Sequence, residues 1–161
     1  MPIRYQVGDA TSPQCHGPCI IVHVCNDIGR WGRGFVLALS QRWPEPEKQY
    51  RDWKRGKATI PFELGQVQFV QVSAETWVAN LIGQSGLSQV PGLPPIRYDA
   101  VRDGLRRIAV EALRLGASVH MPRIGCGLAG GRWEEIEPIV NEELITAGIE
   151  VTVYDLPSAG W

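Results

Sequence analysis

Two glycine-rich stretches carry the residues best suited to chemistry. "CNDIGRWGRGF" (Cys25 to Phe35) sets Asn26 and Asp27 at the end of an apolar run, and Gly32 and Gly34 just ahead of a helical pattern. "GCGLAG" (Gly125 to Gly130) matches G-x-G-x-x-G, follows a strand-like segment and precedes a helix-like one. Glycine lets a backbone approach a diphosphate closely, and a helix N-terminus behind it favours negative charge. Two such loops on one crevice would clasp a diphosphate from both sides. The plainer alternative is that the glycines serve tight strand-to-helix turns.

Other side chains complete a site for a nucleoside diphosphate. Asp9, in "VGDAT" after the first strand-like segment, suits an exocyclic amine such as adenine N6. Asn26 and Asp27 suit ribose hydroxyls or a water, or else make a local turn. Tyr154 offers a ring to stack on a base, or is an exposed aromatic on an edge strand. His23 and His120 lie inside apolar segments and read as core histidines, whereas His16 sits in the loop "CHGPC" on the expected adenine side. Cys15, His16 and Cys19 form the one close cysteine–histidine cluster. A structural zinc site needs a second ligand pair that the sequence does not display, so free thiols and no metal are expected.

The elements that must position these residues alternate. Strand-like runs are Ile3 to Val7, "CIIVHVC" (a fully buried strand by its apolar character), "VQFVQV", "TWVANLI", "SVHMPRI" and "IEVTVYDL", the last with period-two alternation. Helix-like runs are "GFVLALSQRW", "PEKQYRDWKRG", a segment capped by Asp99 with Val101, Leu105, Ile108, Ala112 and Leu115 on one face, and "RWEEIEPIVNEELITAG". "SGLSQVPGLPP" (Ser85 to Pro95) reads as loop. We expect one domain over 1–161: a three-layer α/β/α sandwich with a mixed, mostly parallel sheet, whose ligand sits outside the carboxyl ends of the strands. A net charge of -1 gives no electrostatic case for nucleic acid or a membrane surface. No stretch approaches the roughly 18 apolar residues of a membrane span, and "MPIRYQVGD" lacks a signal-peptide layout. The cytoplasm is the expected location.

The G-x-G-x-x-G match, with Asp155 about 25 residues on, invites a Rossmann reading. That fingerprint normally opens its domain, whereas here it comes late in the sequence, so no dinucleotide cofactor is expected. The order of motifs instead resembles the macrodomains, a family that binds ADP-ribose. "GDAT" follows the first strand, an apolar strand runs into "CNDIGRWGRG", and "PRIGCGLAGGRWEEIEPIV" precedes a final "VTVYDL". "MPRIGCGL" before a Trp-Glu helix start looks like the branch near the terminal ADP-ribose protein glycohydrolase, which removes ADP-ribose from glutamate. "GRWGRGFVLALSQRWP" also resembles proteins that process ADP-ribose 1″-phosphate.

The resemblance implies a site residue by residue. Asp9 and Ala10 would contact adenine, and Tyr154 and Leu156 would border it. Asn26, Trp31, Gly32, Arg33 and Gly34 would line the distal ribose and diphosphate. Ile124, Gly125, Cys126, Gly127 and Leu128 would wrap the phosphates from the other side. The sequence departs from the family pattern where chemistry is concerned. The glycohydrolase's lysine nucleophile falls at Gln84 or Gly83, and its resolving acid at Ala129; neither replacement can act in that way. The expected activity is therefore water-based hydrolysis of ADP-ribose from modified proteins, chiefly at acidic side chains, with Asn26, Asp27 and Gln84 as candidate catalytic groups. A non-catalytic ADP-ribose reader, or a hydrolase of ADP-ribose 1″-phosphate or acylated ADP-ribose, is the alternative. The expected partners are ADP-ribose and ADP-ribosylated proteins, with the chain a monomer.

Overall fold

The computed structural model describes residues 1–87 and 92–157. Part of the expected Ser85–Pro95 loop lies outside them. The strands are β1 (Arg4–Val7), β2 (Cys19–Asn26), β3 (Val67–Ser73), β4 (Thr76–Gln84), β5 (Ser118–Met121) and β6 (Val151–Asp155). The helices are α1 (Phe35–Arg42), α2 (Glu45–Lys54), α3 (Tyr98–Leu115) and α4 (Trp133–Val140). One sheet runs β1-β6-β5-β2-β4-β3, parallel throughout except for the β3–β4 hairpin. A two-residue connection between β3 and β4 permits only antiparallel pairing, which makes the sheet mixed.

The two faces of the sheet bury separate apolar clusters, as the pleat requires. Ile20, Val22, Ala79 and Leu81 pack beneath α3 and α4, with Val101, Leu105, Ile108, Ile136 and Val140 above them. Ile21, Cys25, Val78 and Ile82 face the other way, against Leu39 of α1 and Tyr50 and Trp53 of α2. Helix α3 packs tightly on the sheet at Gly104, where an added Cβ would stand 2.3 Å from Leu81 Cγ. A polar row crosses the α2 face: His23 Nε2 lies 2.5 Å from Asn80 Oδ1, and Asn80 Nδ2 donates to Gln68 Oε1 at 3.0 Å. His23 and His120 are core histidines, as expected, and burial pushes both imidazoles down to about 4.

Four expectations need correction. β6 lacks period-two exposure; Val151 to Tyr154 are all buried, because β6 lies between β1 and β5 with both faces covered. Asp99 does not cap α3, since the helix starts one residue earlier and Arg97 is its N-cap without a side-chain bond. The last helix is not regular to its end. After α4 the chain continues as a π-helical turn over Asn141–Ile145, where Thr146 N–H reaches Asn141 O at 2.9 Å. Finally, Cys15 and Cys19 are not free thiols but are joined by a disulfide; Cys25 and Cys126 are free.

Candidate functional site

Parallel pairing brings the carboxyl ends of β1, β6, β5, β2 and β4 to one edge of the sheet, so the segments after them gather there. Gly32, Arg33 and Gly34 lead from β2 into α1, all three exposed. Gly34 takes φ of +78°, a conformation natural to glycine, and its position faces the opposite loop: a Cβ there would stand 3.8 Å from Leu128 Cδ1. The two glycine loops, far apart in sequence, thus approach each other at this edge of the sheet. Arg33 has neither an ion pair nor a hydrogen bond among the described residues, and its guanidinium stays available to an anion.

The second loop is built by close backbone contacts. Gly125 adopts φ of +73°, and a Cβ there would lie 2.6 Å from Ile96 Cδ1. Gly131 N–H donates to Gly125 O at 2.7 Å, and Gly130 N–H to Gly127 O at 3.0 Å. Ile124 and Ala129 are buried, whereas Gly127 and Leu128 are exposed. Cys126 is half-buried, its Sγ 3.5 Å from Ile124 O. Burial pushes its thiol pKa up.

At the end of β2 the polar pair divides its labour. Asn26 is 7% exposed, and both ends of its side-chain amide make hydrogen bonds. Its Oδ1 accepts from Ile28 N–H (3.1 Å), Arg30 N–H (3.0 Å) and Tyr50 O–H (3.0 Å), while Nδ2 donates to Arg30 O (2.8 Å). These bonds match the turn-making alternative for Asn26. Asp27 is half-buried; its Oδ1 accepts from Gly86 N–H at 2.8 Å and its backbone N–H donates to Gln84 O at 3.0 Å. Gln84 Nε2 also reaches Gly86, donating to its carbonyl at 2.8 Å. Asp27 and Gln84 thus converge on the segment after β4. Gly83 points into the core, where a Cβ would lie 3.0 Å from Val101 Cγ2.

Two expected ligand residues are buried. Trp31 is 5% exposed, its Nε1–H donating to Ser40 Oγ at 2.8 Å and its ring packed on His23 and Tyr50, so it supports the loop from below. Tyr154 is 5% exposed and lies on an inner strand. Its hydroxyl accepts from Gln14 N–H (3.1 Å) and lies 2.8 Å from His120 Nδ1, so the ring presents no stacking face. Ala10 is likewise buried, Leu156 is half-buried, and Asp9 is exposed, with Oδ1 accepting from Thr11 N–H (2.8 Å) and Thr11 Oγ–H (2.7 Å). His16 does not reach this edge; it lines a depression at the amino ends of the strands.

Sequence reasoning missed one pair at this edge. Arg123, between β5 and the second glycine loop, donates to both carboxylate oxygens of Asp155 at 2.7 and 3.0 Å, and its guanidinium lies over the rings of Tyr5 and Trp133. The guanidinium holds the Asp155 carboxyl below the usual carboxylate range. Nothing in the spacing of residues 123 and 155 signals their pairing.

No family model matches the chain. A solved macrodomain from Streptomyces coelicolor is 54% identical, covering 95% of this chain and 98% of that one, with a TM-score of 0.85. The chain is a macrodomain. A Bacteroides thetaiotaomicron protein of unknown function is 57% identical over 97% of the chain, with a TM-score of 0.92. Human ADP-ribose glycohydrolase OARD1 is 33% identical, covering 96% of this macrodomain and 91% of its own length. Chromodomain-helicase-DNA-binding protein 1-like from Danio rerio is 36% identical over 94% of the chain, but the macrodomain spans only 15% of that relative. Among the described residues, no helix is long and apolar enough to cross a membrane.

Proposed function

We propose that the crevice between the two glycine loops binds ADP-ribose, and that the protein hydrolyses ADP-ribose from modified proteins at ester-linked acidic side chains. The single observation that carries the binding half is the approach of Gly34 to Leu128, which sets two glycine backbones and the start of α1 around one space. Asp9 at the end of β1 suits the adenine amine, and Arg33 suits a phosphate. The likeness to human ADP-ribose glycohydrolase OARD1 over nearly its whole length supports both binding and turnover.

The hydrolytic step requires a water against the anomeric carbon. As the water oxygen bonds to that carbon, the bond to the side-chain carboxylate oxygen breaks and the carboxylate leaves as an anion. The water's proton passes to a base, and Asp27 is the residue proposed for that role. Its Oδ1 is fixed by Gly86 N–H, which aims the carboxylate without an adduct-forming lysine. Gln84 fixes the same segment and serves as a positioning residue, as does Asn26 through the 27–31 loop.

The reader alternative draws on a specific observation. Ala129 is buried beside the crevice, and Gln84 spends its amide on Gly86 O, so neither supplies a nucleophile or an acid. Incubating the protein with a glutamate-ADP-ribosylated target and measuring free ADP-ribose separates the two. Release supports hydrolysis; tight ADP-ribose binding in calorimetry without release supports the reader. No binding at all would remove both.

A further inference from the structure

One cluster of sulfur and nitrogen ligands lies outside the crevice and has no part in the reading above. Cys15 and Cys19 flank the His16-Gly17-Pro18 loop ahead of β2, their Cα atoms 6.2 Å apart. His120 on β5 stands against them, with Nε2 3.7 Å from Cys15 Sγ. One ligand atom from each of the three residues lies within 4.8 Å of the others. We propose that, once the disulfide is reduced, Cys15, Cys19 and His120 form a three-ligand Zn²⁺ site.

The geometry already matches one edge of such a site. Tetrahedral Zn²⁺ with ordinary Zn–S and Zn–N bonds separates a sulfur from a nitrogen by about 3.6 Å, close to the 3.7 Å between Cys15 Sγ and His120 Nε2. The two sulfurs need only part from bonding distance to about 3.8 Å. Two thiolates with an imidazole form a soft donor set that selects zinc over magnesium or calcium. The C-x₃-C spacing fits the short ligand loops of zinc sites. What the sequence did not display was a further ligand; the sheet brings it from 101 residues away by pairing Cys19 with Ser118 and Ile21 with His120.

The surroundings prepare His120 for this role. Its Nδ1 is 2.8 Å from Tyr154 O–H, the kind of outer partner that orients metal-bound imidazoles and leaves Nε2 toward the metal. In the disulfide form Nε2 hydrogen-bonds Ser118 Oγ at 2.8 Å, a contact the metal would replace. His120 also lines a depression of about 500 Å³ at the amino ends of the strands, together with Ser118, His16 and Arg4.

Oxidation and metal binding exclude each other here. A dithiol reduces the disulfide by giving up two electrons and two protons and becoming a disulfide itself; a phosphine gives up two electrons and becomes the phosphine oxide, with water supplying the oxygen and both thiol protons. Zn²⁺ then displaces both thiol protons to solvent. The test is Zn²⁺ calorimetry on metal-stripped protein in phosphine-reduced and oxidised forms, with Co²⁺ absorption as a second readout. The expected result is one equivalent bound by the reduced protein alone and a thiolate-to-cobalt charge-transfer band. Binding should weaken roughly 100-fold in Cys15→Ser and at least about tenfold in His120→Gln, with no change in Cys126→Ser. The proposal is overturned if reduced protein takes up no more Zn²⁺ than the Cys15→Ser/Cys19→Ser double variant, if oxidised protein binds equally, or if the charge-transfer band is absent. Cys15 sits half-exposed in a surface loop, so its variant remains informative even where His120→Gln fails to fold.

Discussion

Replacing Asn26 by alanine distinguishes a residue that builds the crevice from one that performs chemistry in it. Asn26→Ala removes the acceptor for Ile28 N–H and Arg30 N–H and the donor to Arg30 O, while Tyr50 O–H keeps its bond to Asn26 backbone O at 2.7 Å. Three lost bonds at about 1 kcal/mol each, softened because Ile28 and Arg30 are exposed to water but supplemented by a small cavity, give about 3 kcal/mol of destabilisation. For a chain of this size that lowers Tm by roughly 6–12 °C. The loop from Asp27 to Trp31 should loosen, so ADP-ribose affinity should fall as well, while turnover at saturating substrate changes little. Urea titration gives the first quantity, calorimetry the second, and release kinetics over a range of substrate the third. Unchanged stability together with lost turnover would refute the structural role and return Asn26 to the water.

Three further outcomes follow from the same geometry. Asp27→Asn keeps an oxygen for Gly86 N–H but removes the base, so ADP-ribose release should slow roughly 10²–10⁴-fold while calorimetric affinity stays within about threefold; a wild-type rate would exclude Asp27. Gly34→Val places a branched side chain at φ of +78° and toward Leu128, costing about 1–2 kcal/mol and closing the crevice; ADP-ribose affinity should fall by at least about tenfold, and unaltered affinity would separate that loop from the ligand. His23 and His120, held down to about 4 against an ordinary 6.5, stay neutral in the folded state as the unfolded chain gains protons. Their stability contribution is therefore full above 6.5 and lost as pH falls from there toward 4. Each should cost about 2 kcal/mol between pH 7 and 5, so a urea midpoint that does not drop over that interval would contradict their burial.

Much of the fold was legible in the sequence because its signals are local. The β-branched run "CIIVHVC" and the apolar face from Val101 to Leu115 declare their elements through period and residue type alone. Both glycine loops were visible for the same reason. Burial at element ends was not legible, because it depends on neighbours the sequence does not name. Tyr154 reads as an edge aromatic, but β6 lies between β1 and β5; Trp31 is expected at the distal ribose and diphosphate, but its ring packs on Tyr50 and its Nε1–H bonds Ser40.

Sequence alone thus determined the order of strands and helices, the two glycine turns and the absence of a lysine or acid at positions 84 and 129. Each of these is a property of residue type or short-range spacing. Tertiary structure decided what those residues face. It brought Gly34 against Leu128, committed the Asn26 side chain to its own loop, paired Arg123 with Asp155, and set His120 beside Cys15 and Cys19. The physical reason is that parallel strand pairing fixes contacts between segments many tens of residues apart, and only those contacts determine which polar groups are already satisfied and which are left for a ligand.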